Sequence, residues 1–167
     1  MPQKKSLKAT STKKRELVLL DTGPLVGLYN KRDDWHARCN AFFKQDIGYD
    51  YLLTQAVICE VVFHIQKDEH VQAASKAVIH FLGLIDGNKL QVHELESGYV
   101  LRIKQLREKY EDKKLDFADL SLVLAAEDRQ IDQVVTLDRK DFGFLKFKSG
   151  SGRKQEQGFR IILPEPT

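Results

Sequence analysis

The sequence predicts a three-layer α/β/α domain around a central, mainly parallel sheet of about five strands. Three observations lead there. Short runs of consecutive apolar residues recur along the chain, as fully buried strands require. Segments with helical spacing separate them, so each strand must return through a crossover helix. The chain has 167 residues, which suits one domain able to bury its own core.

The elements follow in order. Residues 1–15 are polar, rich in Lys, Ser and Thr, and are expected to form a disordered tail ahead of one domain over 16–164. Glu16 to Asp21 reads as the first strand. Thr22 is a suitable N-cap for a short helix, and Pro24 fits its first turn. A second helix is expected from about Asp33 to Gln45. Tyr51-Leu52-Leu53 forms the second strand, and Thr54 caps a helix over about 55–67. Val57, Ile58, Val61, Val62 and Ile65 give that helix one apolar face. A longer helix spans about 69–86, followed by a strand over 89–92 and a helix over about 94–111. The next helix covers about 116–129, and Val134 to Leu137 is the fourth strand. A short helix follows, then a polar loop over 146–157, and Phe159 to Leu163 closes the sheet.

Composition narrows the function classes. Charged residues make up 31% and hydrophobic residues 42%, ordinary for a globular protein. No apolar run reaches the ~18 residues of a membrane helix. None near the start resembles a signal peptide. The two cysteines, Cys39 and Cys59, sit in apolar stretches and read as small core residues, which excludes a disulfide scaffold and a cysteine zinc cluster. A cytoplasmic protein without membrane attachment is expected. The net charge of +3 is uneven, because residues 1–15 carry six bases and no acid. That segment is either a solvated end or a contact for nucleic acid phosphates.

Ligands of such sheets bind at the carboxyl ends of the strands, and this rule selects residues. Asp21 ends the first strand, and Asp138 follows the fourth. Glu60 interrupts an apolar run on the helix after the second strand. Asp119 stands in the first turn of the helix before the fourth, with Asp116 three residues earlier on the same face. Asp141 follows Asp138 by the same interval and reads mainly as a helix cap. Clustered carboxylates raise one another's pKa, and a divalent cation relieves that conflict. Mg²⁺ and Mn²⁺ prefer such oxygen donors, and their bound water suits attack on phosphorus. Acids from four segments, with no cysteine or histidine pair at ligand spacing, point to a hard-metal phosphodiesterase site.

The residues also resemble a known family. Val18-Leu-Leu-Asp-Thr-Gly-Pro-Leu-Val26 is similar to the opening of PIN domains. Leu53-Thr-Gln-Ala-Val-Ile-Cys-Glu60, Leu115-Asp-Phe-Ala-Asp119 and Val135-Thr-Leu-Asp138-Arg-Lys-Asp-Phe142 resemble its later acidic motifs, in order. The resemblance covers roughly 17–163. It implies an Mg²⁺- or Mn²⁺-dependent ribonuclease acting on RNA. Many bacterial members are toxins of the VapC type held by a small antitoxin, and a homodimer is implied as well. Asp21, Glu60, Asp119 and Asp138 match the family's four acids, with Thr136 a hydroxyl residue beside the fourth and Asp116 an extra acid of some members.

Arg139, Lys140, Lys146, Lys148, Arg153 and Lys154 follow Asp138 closely. They form either a solvated loop or a phosphate-holding rim beside the acids. Two other functions compete. Transfer through an aspartyl phosphate on Asp21 needs a second Asp two residues on, where Gly23 stands. A non-catalytic RNA- or protein-binding module of the same fold would be signalled by loss of an acid, and all four are present.

Overall fold

The computed structural model describes residues 14–68 and 70–164. Leu17 to Leu20 has no polar member, and β1 (Glu16–Leu20) accordingly takes the middle of the sheet with Val18, Leu19 and Leu20 buried. It is flanked by β2 (Tyr49–Thr54) and β4 (Gln133–Val135), and outside them lie β3 (Leu90–His93) and β7 (Arg160–Ile162). The order β3-β2-β1-β4-β7 is parallel throughout, with Leu19 opposite both Leu52 and Val134. The three-layer parallel fold expected from the sequence is the one observed.

The crossovers are helical. α1 (Thr22–Tyr29) and α2 (His36–Lys44) pack so closely that a Cβ on Gly27 would lie 2.9 Å from the Cys39 sulfur. α3 (Gln55–Asp68) buries Val57, Val61 and Ile65, and α4 (Val71–Asp86) buries Ala74 and Phe81. α5 (Tyr99–Lys109) starts later than the apolar spacing suggests, because Gly98 takes a positive φ of 90° just before it. α6 (Phe117–Arg129) is buried from Ala118 through Glu127, which makes it the internal helix of the molecule. α7 (Arg139–Phe144) is short and buries Phe142.

The structure corrects several expectations. Asp21, rather than Thr22, is the N-cap of α1, with its carboxylate accepting from the Thr22 amide. Asp138, rather than Asp141, caps α7. The expected polar loop over 146–157 is an antiparallel hairpin of β5 (Lys146–Ser149) and β6 (Gln155–Gly158). It holds because Phe147 and Ser149 are buried while β6 stays exposed along its length. Cys59 is exposed rather than a core residue, whereas Cys39 is buried as expected.

The tail expected over 1–15 lies outside the described residues up to position 13. Arg15 belongs to the fold, since its guanidinium pairs with Asp46 at 2.7 Å and Asp50 at 2.6 Å. Among the described residues no helix is long and apolar enough to cross a membrane.

Candidate active site

Parallel strands place their carboxyl ends on one edge, and the acids gather there. Asp21, Glu60, Asp116, Asp119, Asp138 and Asp141 line a single cleft of about 750 Å³. β1 delivers Asp21, whose amide donates to the Val135 carbonyl of β4. The segment after β4 lies beside it, close to Gly23. A Cβ there would lie 3.4 Å from that of Leu137, the residue before Asp138.

The carboxylates are held from several sides. Asp21 accepts from the Thr22 amide and the Thr136 hydroxyl, both at 2.7 Å. The Thr136 hydroxyl oxygen in turn accepts from the Asp138 amide at 2.9 Å. The Thr22 hydroxyl donates to Glu60 at 2.7 Å, so one residue links the first two acids. Asp116 and Asp119 form a reciprocal cap at the start of α6. The Asp116 carboxylate accepts from the Asp119 amide at 2.8 Å, and the Asp119 carboxylate accepts from the Asp116 amide at 3.3 Å. Asp138 accepts from the Asp141 amide at 2.7 Å.

Burial makes these charges costly. Loss of solvent pushes Asp21 up to about 6, against the two hydrogen bonds that favour its charged form, and the Asp116 and Glu60 charges push the same way. Asp119 is pushed up to about 8, first by burial and then by the charges of Asp116 and Asp21. Asp141 is raised by partial burial and by Asp138. The site therefore holds more negative charge than it can keep by itself at neutral pH.

The donor set fits a hard divalent cation by its chemistry. The buried side chains that converge there, Asp21, Thr22, Asp119 and Thr136, offer carboxylate or hydroxyl oxygens, the donors a hard divalent cation prefers. Among the described residues no three acidic, histidine or cysteine side chains stand in finished ligating geometry. The structure thus assembles the acids without closing them on one point.

The expected bases divide. Arg139 and Lys140 line the cleft. Lys148 and Arg153 do not, and line a separate hollow with Arg102, Glu127 and Asp128. The Lys148 amide donates to Glu127 and the Arg153 guanidinium pairs with Asp128 at 2.9 Å. Glu127 is eight residues beyond Asp119 on α6, about 12 Å along its axis. Lys154 belongs to the same hairpin turn and does not line the cleft. Following Asp138 in sequence does not bring these three to its side, because β5 runs along α6 toward the helix's far end.

Four polar cleft residues escape the sequence reading of the site: Thr22, Asp33, His64 and Lys114. His64 stands one turn after Glu60, 4.0 Å from it, and that i,i+4 spacing was the available signal. Thr22 looked like a cap, and nothing local marks Asp33 or Lys114.

The family model of the PIN domain matches residues 18–147. The chain belongs to the PIN domain family. The structure of this PIN domain is similar to the crystal structure of VapC20 from Mycobacterium tuberculosis, a toxin that cleaves the sarcin–ricin loop. The TM-score is 0.64 at 13% identity, covering 75% of this chain and 93% of that one. PAE2754 from Pyrobaculum aerophilum aligns at 22% identity over 85% of this chain and 88% of that one, with a TM-score of 0.49. No curated protein matches the chain.

Proposed function

We propose that this PIN domain is an Mg²⁺- or Mn²⁺-dependent endoribonuclease, with Asp21, Glu60, Asp119 and Asp138 as its catalytic and metal-holding residues. The observation that carries this reading is the convergence of these four acids, from four separate segments, on one cleft at the carboxyl edge of the sheet. When bound, the ion supplies an activated water and neutralises charge developing on the phosphoryl oxygens.

The chain's own residues do the rest. Thr136 and the Thr22 amide fix the two oxygens of Asp21. The Thr22 hydroxyl orients Glu60. Asp116 holds the first turn of α6, and with it the backbone of Asp119. Asp141 steadies the Asp138 carboxylate through its amide. Arg139 and Lys140 offset the repulsion between the acidic cleft and a polyanion. Lys148, Arg153 and Lys154 do not line the cleft and take no part in holding the cleaved phosphate.

Within this reading the chain takes the toxin role of a toxin–antitoxin pair, as a homodimer held by a small antitoxin in the cytoplasm. The fold likeness to VapC20 and the PIN membership support it. The test is cleavage of single-stranded RNA with and without Mg²⁺ or Mn²⁺, by wild type and Asp21→Asn. Metal-dependent cleavage lost in the variant is expected. Equal cleavage by both proteins, or none by either, overturns the assignment. Growth arrest on expression, relieved by the product of a neighbouring reading frame, tests the toxin role.

A further inference from the structure

We propose that Lys114 holds a backbone phosphate of the RNA strand next to the one cleaved, and that Arg107 is the positioning residue that fixes its turn. This rests on the nuclease reading and deepens it. Lys114 lies outside the acidic motifs and outside the run of bases after Asp138.

The turn between α5 and α6 carries two neighbouring lysines with different surroundings. The Lys113 ammonium pairs with Asp112 at 2.7 Å and stands 5.4 Å over the Phe144 ring of α7. Its charge is already met by the protein. Lys114 lines the acid cleft instead, together with Arg139 and Lys140. Seven carboxylates line the same cleft, yet among the described residues none forms an ion pair with Lys114. Its ammonium is left available to a ligand.

The backbone around Lys114 is held on both sides. Arg107 Nη1 donates to the Lys113 carbonyl at 3.3 Å and to the Leu115 carbonyl at 3.0 Å, so one guanidinium spans Lys114. The Lys113 amide donates to the Tyr110 carbonyl at 3.0 Å, and Leu115 is buried. The Tyr110 ring packs on Phe144 with centroids 5.8 Å apart. The turn and α7 thus support each other and offer Lys114, Arg139 and Lys140 to one cleft. A backbone fixed in advance lowers the cost of ordering a side chain on its ligand.

A phosphodiester strand is the ligand this suits. In the nuclease reading the four acids and their ion take the cleaved phosphate, and the acids' charge repels the phosphates beside it. Lys114 enters the cleft from the turn before Asp116, outside those four acids, and supplies the missing counter-charge to a neighbouring phosphate. A lysine meets phosphate as a point charge, so the contact gives affinity and no base preference.

The experiment measures binding of a single-stranded RNA by fluorescence anisotropy in EDTA, where cleavage stops, over a salt series. Lys114→Gln should flatten the dependence on log salt by about 0.7, which weakens binding about fivefold near 0.1 M salt. Lys114→Arg should restore both. Lys113→Gln removes the same charge one residue away and should change neither. Arg107→Gln should weaken binding in the wild-type background and add nothing in the Lys114→Gln background. Additive losses there overturn the positioning role.

Equal responses of Lys113→Gln and Lys114→Gln reduce the effect to net charge and overturn the contact. So does an unchanged slope in Lys114→Gln, including the case in which that variant alters only self-association in sedimentation. With Mg²⁺, Lys114→Gln should raise KM more than it lowers kcat, and a fall in kcat alone overturns the neighbouring phosphate. If wild type cleaves RNA and Lys114→Gln behaves like it, the contact alone falls. If wild type neither cleaves nor binds RNA, the nuclease reading falls and the contact with it.

Discussion

Asp21 is a carboxylate almost out of water, raised to about 6 by that burial and only partly compensated by Thr136 and the Thr22 amide. Asp119, raised to about 8, is in the same position. The consequence for stability has a definite sign. An unfolded Asp releases its proton near pH 4, while these two hold theirs in the folded state to higher pH. The folded state therefore binds more protons between about pH 4 and pH 8, and stability falls as pH rises through that window. Metal-free protein should unfold more easily at pH 8 than at pH 5. Asp21→Asn should remove the part of the slope between pH 4 and 6, of order 1–3 kcal/mol, while abolishing cleavage. Thermal melts in EDTA across that range check it. An unchanged slope in the variant would refute the buried-charge account.

The first turn of α6 carries a device that a single residue cannot reveal. Asp116 and Asp119 each accept the other's amide, so Asp116 acts on the site through helix geometry. Asp116→Asn keeps an acceptor and should retain measurable activity. Asp116→Ala loses the cap, should cost about 1 kcal/mol, and should lower cleavage more than its Asn counterpart does. Equal activity in the two variants would leave the cap without a catalytic consequence.

The far end of the same helix is built differently. Buried Glu127 accepts from Arg102 at 3.0 and 2.5 Å and from the Lys148 amide at 3.0 Å. Arg102→Ala strands that carboxylate, and should destabilise by about 2–4 kcal/mol in urea unfolding. Because the pair lies away from the cleft, specific activity of the folded fraction should hold. A loss of activity beyond the loss of folded protein would show that the two ends are coupled.

Over the whole molecule, charge is segregated. The cleft gathers seven carboxylates with Arg139, Lys140 and Lys114 near them, while Arg153 of the hairpin pairs with Asp128. Lys140→Ala should weaken RNA binding and flatten its dependence on log salt by up to ~0.7. Lys148→Ala should leave the slope unchanged, and a salt series on both variants distinguishes them. Cation binding at the cleft adds stability by linkage. At about 100 times the dissociation constant it contributes about 2.7 kcal/mol, or roughly 5–10 °C in Tm. The shift should vanish in Asp21→Asn, and its persistence there would place the ion elsewhere.

The sequence by itself determined the layered parallel fold and the four acids that the fold brings to one cleft. Apolar runs of strand length, such as Leu17 to Leu20, can be satisfied only in a buried parallel sheet, and such a sheet sends its strand ends to one edge. A lone acid inside an apolar run, as at Glu60, is conspicuous for the same reason. Only the tertiary structure decided what depends on long-range approach. Thr22 joins Asp21 to Glu60 across 38 residues, and no local pattern encodes that bond. The hairpin over 146–158 was hidden because β6 has no buried residue to give it a period. Lys148 and Arg153 stand close to Asp138 in the chain and away from the cleft in space, because β5 follows α6 toward its far end. Phe63 and Phe117 are apolar residues on two helices, and no local pattern marks them as exposed. Their exposure beside the acids is a property of how three helices meet, which the sequence of no one of them contains.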